Sequence, residues 1–270
     1  MRQFIASLGS GGGEVIPPTT TYLICAQMGQ SNAESNSAVI YADIPTPYGD
    51  VQNNVLTTTM NIADFAFQPL EFNVNNFSAF YRGIGPVDVD NGGVELKLWK
   101  DIADATGKNI LLIHLAYGGE GFEVGSEWNL NTGSAWTDYA DAWASLRAFI
   151  AANNLVTEPG FIFWAQGENN ITKSDYFTVD LPTAFSRFRA EFGSNVHIYS
   201  GEVNRNRGAS WVTFANNQAN YIDPAGEYTL MSNTDKVWED DGTATTGIHL
   251  TFASNFLLAD QIKALYLASL

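Results

Sequence analysis

Five places along the chain carry side chains that could do chemistry, and each comes after a short apolar run. Gln27-Met28-Gly29-Gln30-Ser31-Asn32 follows Tyr22 to Ala26. Gly118-Gly119-Glu120 follows Ile110 to Ala116, and Gln166-Gly167-Glu168-Asn169 follows Phe161 to Ala165. Asn204 comes after Val196 to Ser200. His249 comes after Tyr228 to Met231, just before the last helical stretch. A serine, a histidine, a carboxylate and side-chain amides are what acyl transfer requires: a nucleophile, a base for its proton, an acid to orient the base, and donors for an oxyanion. Read singly, each residue has a plainer use. Ser31 would cap a following helix, His249 would be a surface residue at a helix start, and Glu168 and Gln166 would brace their own loop. Gly118-Gly119 would mark a tight turn. Recurrence after every apolar run is what favours the chemical reading.

The apolar runs are continuous and bounded by glycine or polar residues, as strands buried on both faces are. Helical patterns separate them. Trp136, Tyr139, Trp143, Leu146 and Ile150 fall at steps of three and four, which puts them on one helix face. Val94, Leu98 and Ile102 form a second face, Phe185, Phe188 and Phe192 a third, and Phe252, Phe256, Ala259, Ile262 and Tyr266 a fourth. Strands alternating with helices predict a three-layer α/β/α sandwich around a central, mostly parallel five-stranded sheet, in one domain over 21–270. In such a sheet, sites form beyond the carboxyl ends of the strands, so the five segments should meet at one edge. Ser35 to Asn91 is long, polar and irregular. It is expected to cross the strand ends as loops and small β-pieces and to wall the site. Residues 1–20, with Gly9 to Gly13 and Pro17-Pro18, read as a flexible tether.

Composition removes several functions. Thirteen Lys and Arg against 29 Asp and Glu leave a formal charge of −16. That balance argues against nucleic acid, whose phosphates need clustered cations, and against an anionic membrane surface. One cysteine, Cys25, allows no internal disulfide and no Cys-rich zinc site. No two of the three histidines have metal-ligand spacing. His114 and His197 fall within strands and are read as core or supporting residues. No apolar run approaches the roughly 20 residues of a membrane span. Residues 1–13 hold one Arg and only Phe4-Ile5-Ala6 as an apolar run, too little for a secretory core. Trp128, Trp211 and Trp238 could stack on a sugar but are read as core. No cofactor is expected.

Here the residues resemble a family. Gly29-Gln30-Ser31-Asn32 after a first strand is similar to the first block of the SGNH (GDSL-like) hydrolases. Trp164-Ala165-Gln166-Gly167-Glu168 resembles the Trp-x-Gln-Gly-Glu block of their sialate O-acetylesterase and acetylxylan esterase branch, carbohydrate esterase family six. Gly92-Gly93-Val94-Glu95 resembles that branch's Gly-Pro-Glu block, Gly118-Gly119 followed by Trp128 its Gly-Gly…Trp segment, and His249 its last block. The resemblance implies a Ser–His hydrolase acting on an acetylated oligo- or polysaccharide. Ser31, Gly93 and Gln166 would line the oxyanion hole, and Gln30, Asn32, Gly119 and Asn204 would lie against the substrate. One departure stands out. The wider family places an Asp three residues before the His, where this chain has Thr246. The third member is then Glu168, as some of the acetylxylan esterase branch imply, with Asp240 and Asp241 as rivals.

Two other readings follow from the same features. The missing Asp and the Gly-rich tether suit a carbohydrate-binding or structural module that kept the fold without turnover, for instance in a phage particle. A general lipase or thioesterase would need a long apolar acyl channel, and no Leu-rich stretch supplies one.

Overall fold

The structure is a computed structural model, and it describes residues 20–33, 37–39, 44–48, 50, 52–58, 67–70, 90–233, 235–238 and 247–270. The first 19 residues of the expected tether, and Asp240, Asp241 and Thr246, lie outside the described residues.

The five apolar runs are all strands of one sheet: β1 (Thr21–Gly29), β6 (Asn109–Ala116), β7 (Val156–Ala165), β8 (His197–Gly201) and β9 (Tyr228–Met231). The Ser35 to Asn91 stretch supplies four more strands: β2 (Ser37–Val39), β3 (Gln52–Thr58), β4 (Phe67–Leu70) and β5 (Asp90–Gly92). Two of these extend the main sheet, which has seven strands in the order β4-β3-β6-β1-β7-β8-β9. Only β4 is antiparallel. The five-stranded expectation is therefore short by two strands, for a physical reason. Gln52–Thr58 reads Gln-Asn-Asn-Val-Leu-Thr-Thr, a polar sequence at the sheet's margin, and shows no apolar run. β2 and β5 form a separate antiparallel pair.

Successive side chains of a strand point to opposite faces, and here both faces are covered. Tyr22, Ala26 and Met28 of β1, with Leu111, Ile113, Ile162 and Trp164, pack under α2 (Ala135–Asn153), α3 (Leu181–Phe192) and α4 (Ala209–Asn220). Leu23 and Cys25, with Ile110, Leu112, Phe161 and Phe163, pack under α1 (Glu95–Thr106) and α5 (Phe252–Ala268). The α/β/α sandwich is as the alternation predicts. The faces read for α1, α2 and α3 turn inward. On α5 the buried stripe is Asn255, Leu258, Ala259, Ile262 and Tyr266, while Phe252 and Phe256 meet as a tilted ring pair at its edge. Trp128 is core, edge-on to Trp136 and Trp164, whereas Trp211 and Trp238 are only partly buried. No helix among the described residues is long and apolar enough to cross a membrane.

Register decides where the chemistry goes. Gly29 ends β1 level with Ala116 of β6 on one side and Ala165 of β7 on the other. Trp164 pairs with Ser200, and Gly201 with Met231. The strands finish together, so the segments after β1, β6, β7 and β8 leave from one edge.

Candidate active site

Ser31 sits in a tight turn held from several sides. Gly29 has φ +136° and lies so close to β7 that a Cβ would come within 2.0 Å of the Ala165 carbonyl oxygen. Only glycine fits there. Gly29→Ala should therefore cost about 3 kcal/mol or more of stability, read by urea unfolding, because backbone must move to admit the methyl. Beyond it, Gln30 N–H donates to Ala165 O (2.9 Å) and Ala33 N–H closes the turn on Gln30 O (2.7 Å). The Gly29 carbonyl accepts from Tyr117 N–H (3.0 Å) and from Trp128 Nε1 (2.7 Å). Ser31 is 5% exposed, at the base of the edge.

A second set of bonds fixes the turn from below. The Ala33 carbonyl lies 2.5 Å from His114 Nε2 and 2.9 Å from Gln27 Nε2, while Trp99 Nε1 donates to Gln27 Oε1 at 2.9 Å. A carbonyl only accepts, so His114 carries its proton on Nε2. Burial pushes its pKa from 6.5 down to about 4, so it is neutral at working pH. The unfolded chain takes up a proton below pH 6.5 that the folded chain refuses until about pH 4. Stability is thus full above 6.5 and is lost as pH falls through that window, by about 3 kcal/mol at most. Denaturant titrations at pH 7 and pH 4 should show this drop, and it should shrink in His114→Gln.

His249 is partly buried, in the segment that leads into α5. Its segment is tied to the serine turn by one side chain. Asn32 Nδ2 donates to Ile248 O (2.9 Å) and to Glu168 Oε1 (2.7 Å), while Asn32 Oδ1 accepts from Leu250 N–H (3.1 Å). Asn204 Nδ2 donates to Gly247 O at 2.8 Å. Asn32 and Asn204, expected against the substrate, have these amides engaged inside the protein. Glu168 opens a short 3₁₀ turn (Glu168–Asn170) after Gly167, and meets Asn32. Its Oε2 is buried and makes no hydrogen bond among the described residues. Desolvation raises its pKa above the usual 4.5, against the opposing pull of its own backbone N–H and of Asn32. Behind it lies a cavity of about 10 Å³, lined by Asn32, Glu168, Glu202, Asn233 and Leu250 among others.

Two of the three expected oxyanion donors, Gln166 and Gly93, are near acceptors of their own. Gln166, 1% exposed, donates through Nε2 to Asn170 Oδ1 (2.6 Å) and Glu120 O (3.3 Å), and lies 3.5 Å from Gln30 Oε1. Asn170 Nδ2 in turn reaches both Glu123 oxygens at 2.8 Å. Gly93 N–H donates to Glu95 Oε1 at 2.9 Å. Gly119 is exposed with φ +73°, and its carbonyl accepts from Asn169 Nδ2. Sequence reasoning missed Asn170 and Glu123, which orient Gln166, and the Gln27–Trp99 pair below Ser31. Asn170 and Glu123 are 47 residues apart, Gln27 and Trp99 72 apart. No local spacing marks such partners.

Comparison with protein-family models finds no match, nor does comparison with curated proteins. Solved structures do match. A protein from Arabidopsis thaliana superposes with a TM-score of 0.68 at 14% identity, covering 93% of this chain and 99% of that one. NanS superposes at 0.65 with 15% identity, covering 92% and 97%. A carbohydrate acetylesterase from Xanthomonas citri superposes at 0.55 with 15% identity, covering 90% of this chain and 55% of its own. At such identities the likeness establishes the fold: an α/β architecture shared, over nearly its whole length, with proteins that include a carbohydrate acetylesterase.

Proposed function

We propose that the protein is a serine esterase that removes O-acetyl groups from a carbohydrate. The observation that carries this reading is the Asn32 bridge. It fixes the turn bearing Ser31 to the residues on both sides of His249, although 218 positions separate Asn32 from Leu250. In the proposed mechanism Ser31 Oγ attacks the ester carbonyl and His249 takes its proton, then returns it to the leaving sugar alcohol. Water, activated by the same imidazole, releases acetate from the acyl-serine. The N–H groups of Ser31 and Gly93 and the amide of Gln166 hold the tetrahedral oxyanion. That oxygen displaces Glu95 from Gly93 N–H, and from Gln166 it takes the hydrogen on the longer bond, to Glu120 O. Glu168 supplies the negative charge on the histidine side. The shared fold of the Xanthomonas citri acetylesterase supports the substrate class.

A second reading has its own support. Two of the three expected oxyanion donors, Gly93 and Gln166, already have partners within the protein, as they would in a carbohydrate-binding or structural module without turnover, for example one built into a phage particle. Hydrolysis of an aryl acetate separates the two, since a binding module leaves it intact. Acetate release from a panel of acetylated polysaccharides then identifies the substrate. We expect short-acyl selectivity as well, because the side chains beside Ser31 among the described residues, Gln30, Asn32, Gln166 and Glu168, are polar. Octanoate esters should turn over at least about tenfold more slowly than acetate esters, each added methylene being set against polar side chains. Equal rates would point to a lipase-like site.

A further inference from the structure

We infer that Asn32 is a positioning residue for His249, and that Glu168 acts on the histidine through Asn32 and not by direct contact. This rests on the esterase reading above for its catalytic meaning, while its geometry stands independently. An asparagine side chain has two hydrogens to give and one oxygen to accept with. Here all three are used, and two embrace a single residue. Oδ1 takes the N–H of Leu250, one hydrogen goes to the carbonyl of Ile248, and the other to Glu168 Oε1. The amide therefore grips the main chain immediately before and immediately after His249, as a neighbouring strand would. Its orientation is unambiguous. A carbonyl and a carboxylate oxygen require a donor and the Leu250 N–H requires an acceptor, so exchanging N and O would break all three bonds.

Charge fixes which way the amide faces. A bond to a carboxylate is stronger than one between neutral groups, and the 2.7 Å bond to Glu168 is the shortest of the three. Glu168 thus anchors Asn32, Asn32 anchors the peptides around His249, and Ser31 is the residue before Asn32 in the same turn. The nucleophile and the base are referenced to one side chain. A displacement of about 1 Å between reacting groups can cost about 10²-fold in rate, so this linkage is a catalytic requirement in the proposed enzyme.

The test uses the full chain. With only three histidines, His114, His197 and His249, the imidazole ¹⁵N resonances can be assigned using His249→Gln. In Asn32→Ala the His249 resonances should move while those of His114 and His197 stay. kcat for acetate release should fall about 100-fold with KM changed less than about threefold. Asn32→Asp puts two carboxylates in contact and should be worse. Adding Glu168→Gln gives that aspartate a donor and should restore at least about tenfold over Asn32→Asp, with the His249 resonances returning toward wild type. If Asn32→Ala does not fold, the Asn32→Asp and Asn32→Asp/Glu168→Gln pair decides alone. Folded Asn32→Ala with unmoved His249 resonances, or a double variant no better than Asn32→Asp, overturns the inference. Should wild type release no acetate, the esterase reading fails, and the ¹⁵N comparison still decides the positioning role.

Discussion

Replacing Ser31 with alanine is expected to lower kcat for acetate release by roughly 10⁴-fold or more, leaving the fold intact. The magnitude follows from the role: without Oγ no acyl-serine forms, and what remains is water attack within the binding site. The fold should survive because the turn is held by backbone atoms of Gly29, Gln30 and Ala33 and by Asn32, none of which needs the hydroxyl. Thermal unfolding of the variant should therefore match wild type within about 1 kcal/mol, as for a side chain whose hydroxyl makes no hydrogen bond among the described residues. An active-site phosphonate should label Ser31 and no other serine. Label elsewhere, or a variant that retains near-full activity, would remove Ser31 from the mechanism.

The second large effect concerns Glu168. Glu168→Gln keeps size and an oxygen for Asn32 while deleting the charge, so kcat should fall about 10²-fold or more. Asp240→Asn and Asp241→Asn should each stay within about tenfold of wild type. The reverse ranking would move the acid to the histidine segment, and three near-neutral variants would leave a Ser–His pair. Stability should change in the opposite sense to activity. Burial raises the Glu168 pKa above its unfolded value. Keeping it ionised therefore costs stability above that folded pKa, a cost that fades as pH falls toward the usual 4.5 and vanishes below it. Glu168→Gln should thus unfold at a higher temperature than wild type at pH 7, and the gain should disappear at pH 4. A carboxyl whose pKa is raised by burial is a common feature of functional sites.

Much of this architecture was legible in the residues themselves. β1, β6, β7, β8 and β9 are continuous apolar runs because both their faces are buried, and burial on both faces leaves a signal in one dimension. The α1, α2 and α3 faces repeat every three to four residues for the same reason. Gly29 before Ser31, and Gln166 two residues before Glu168, could be placed at strand ends, since a strand's end is a local event. β3 pairs with β4 on one side and β6 on the other, yet it sets only Val55 and Leu56 among Gln, Asn and Thr, so Gln52–Thr58 reads as a loop.

The partnerships within the site belong to the tertiary structure. Sequence places Ser31, Glu168 and His249 at one sheet edge, but it holds no record of which pairs touch. Glu168 was expected to orient His249, and its bond to Asn32 is a partnership no spacing announces. Asn204 was expected to face the substrate, and it holds Gly247. His114, read as a supporting residue, proves to hold the carbonyl two positions beyond Ser31. A hydrogen bond demands a donor and an acceptor within a few tenths of an ångström and at the right angle. Such placement depends on strand register and loop path summed over the whole chain. Polarity and periodicity are properties of a residue and its near neighbours and can be read along the sequence, whereas the contact between Asn32 and Leu250 exists only once the sheet has brought the two ends of the chain together.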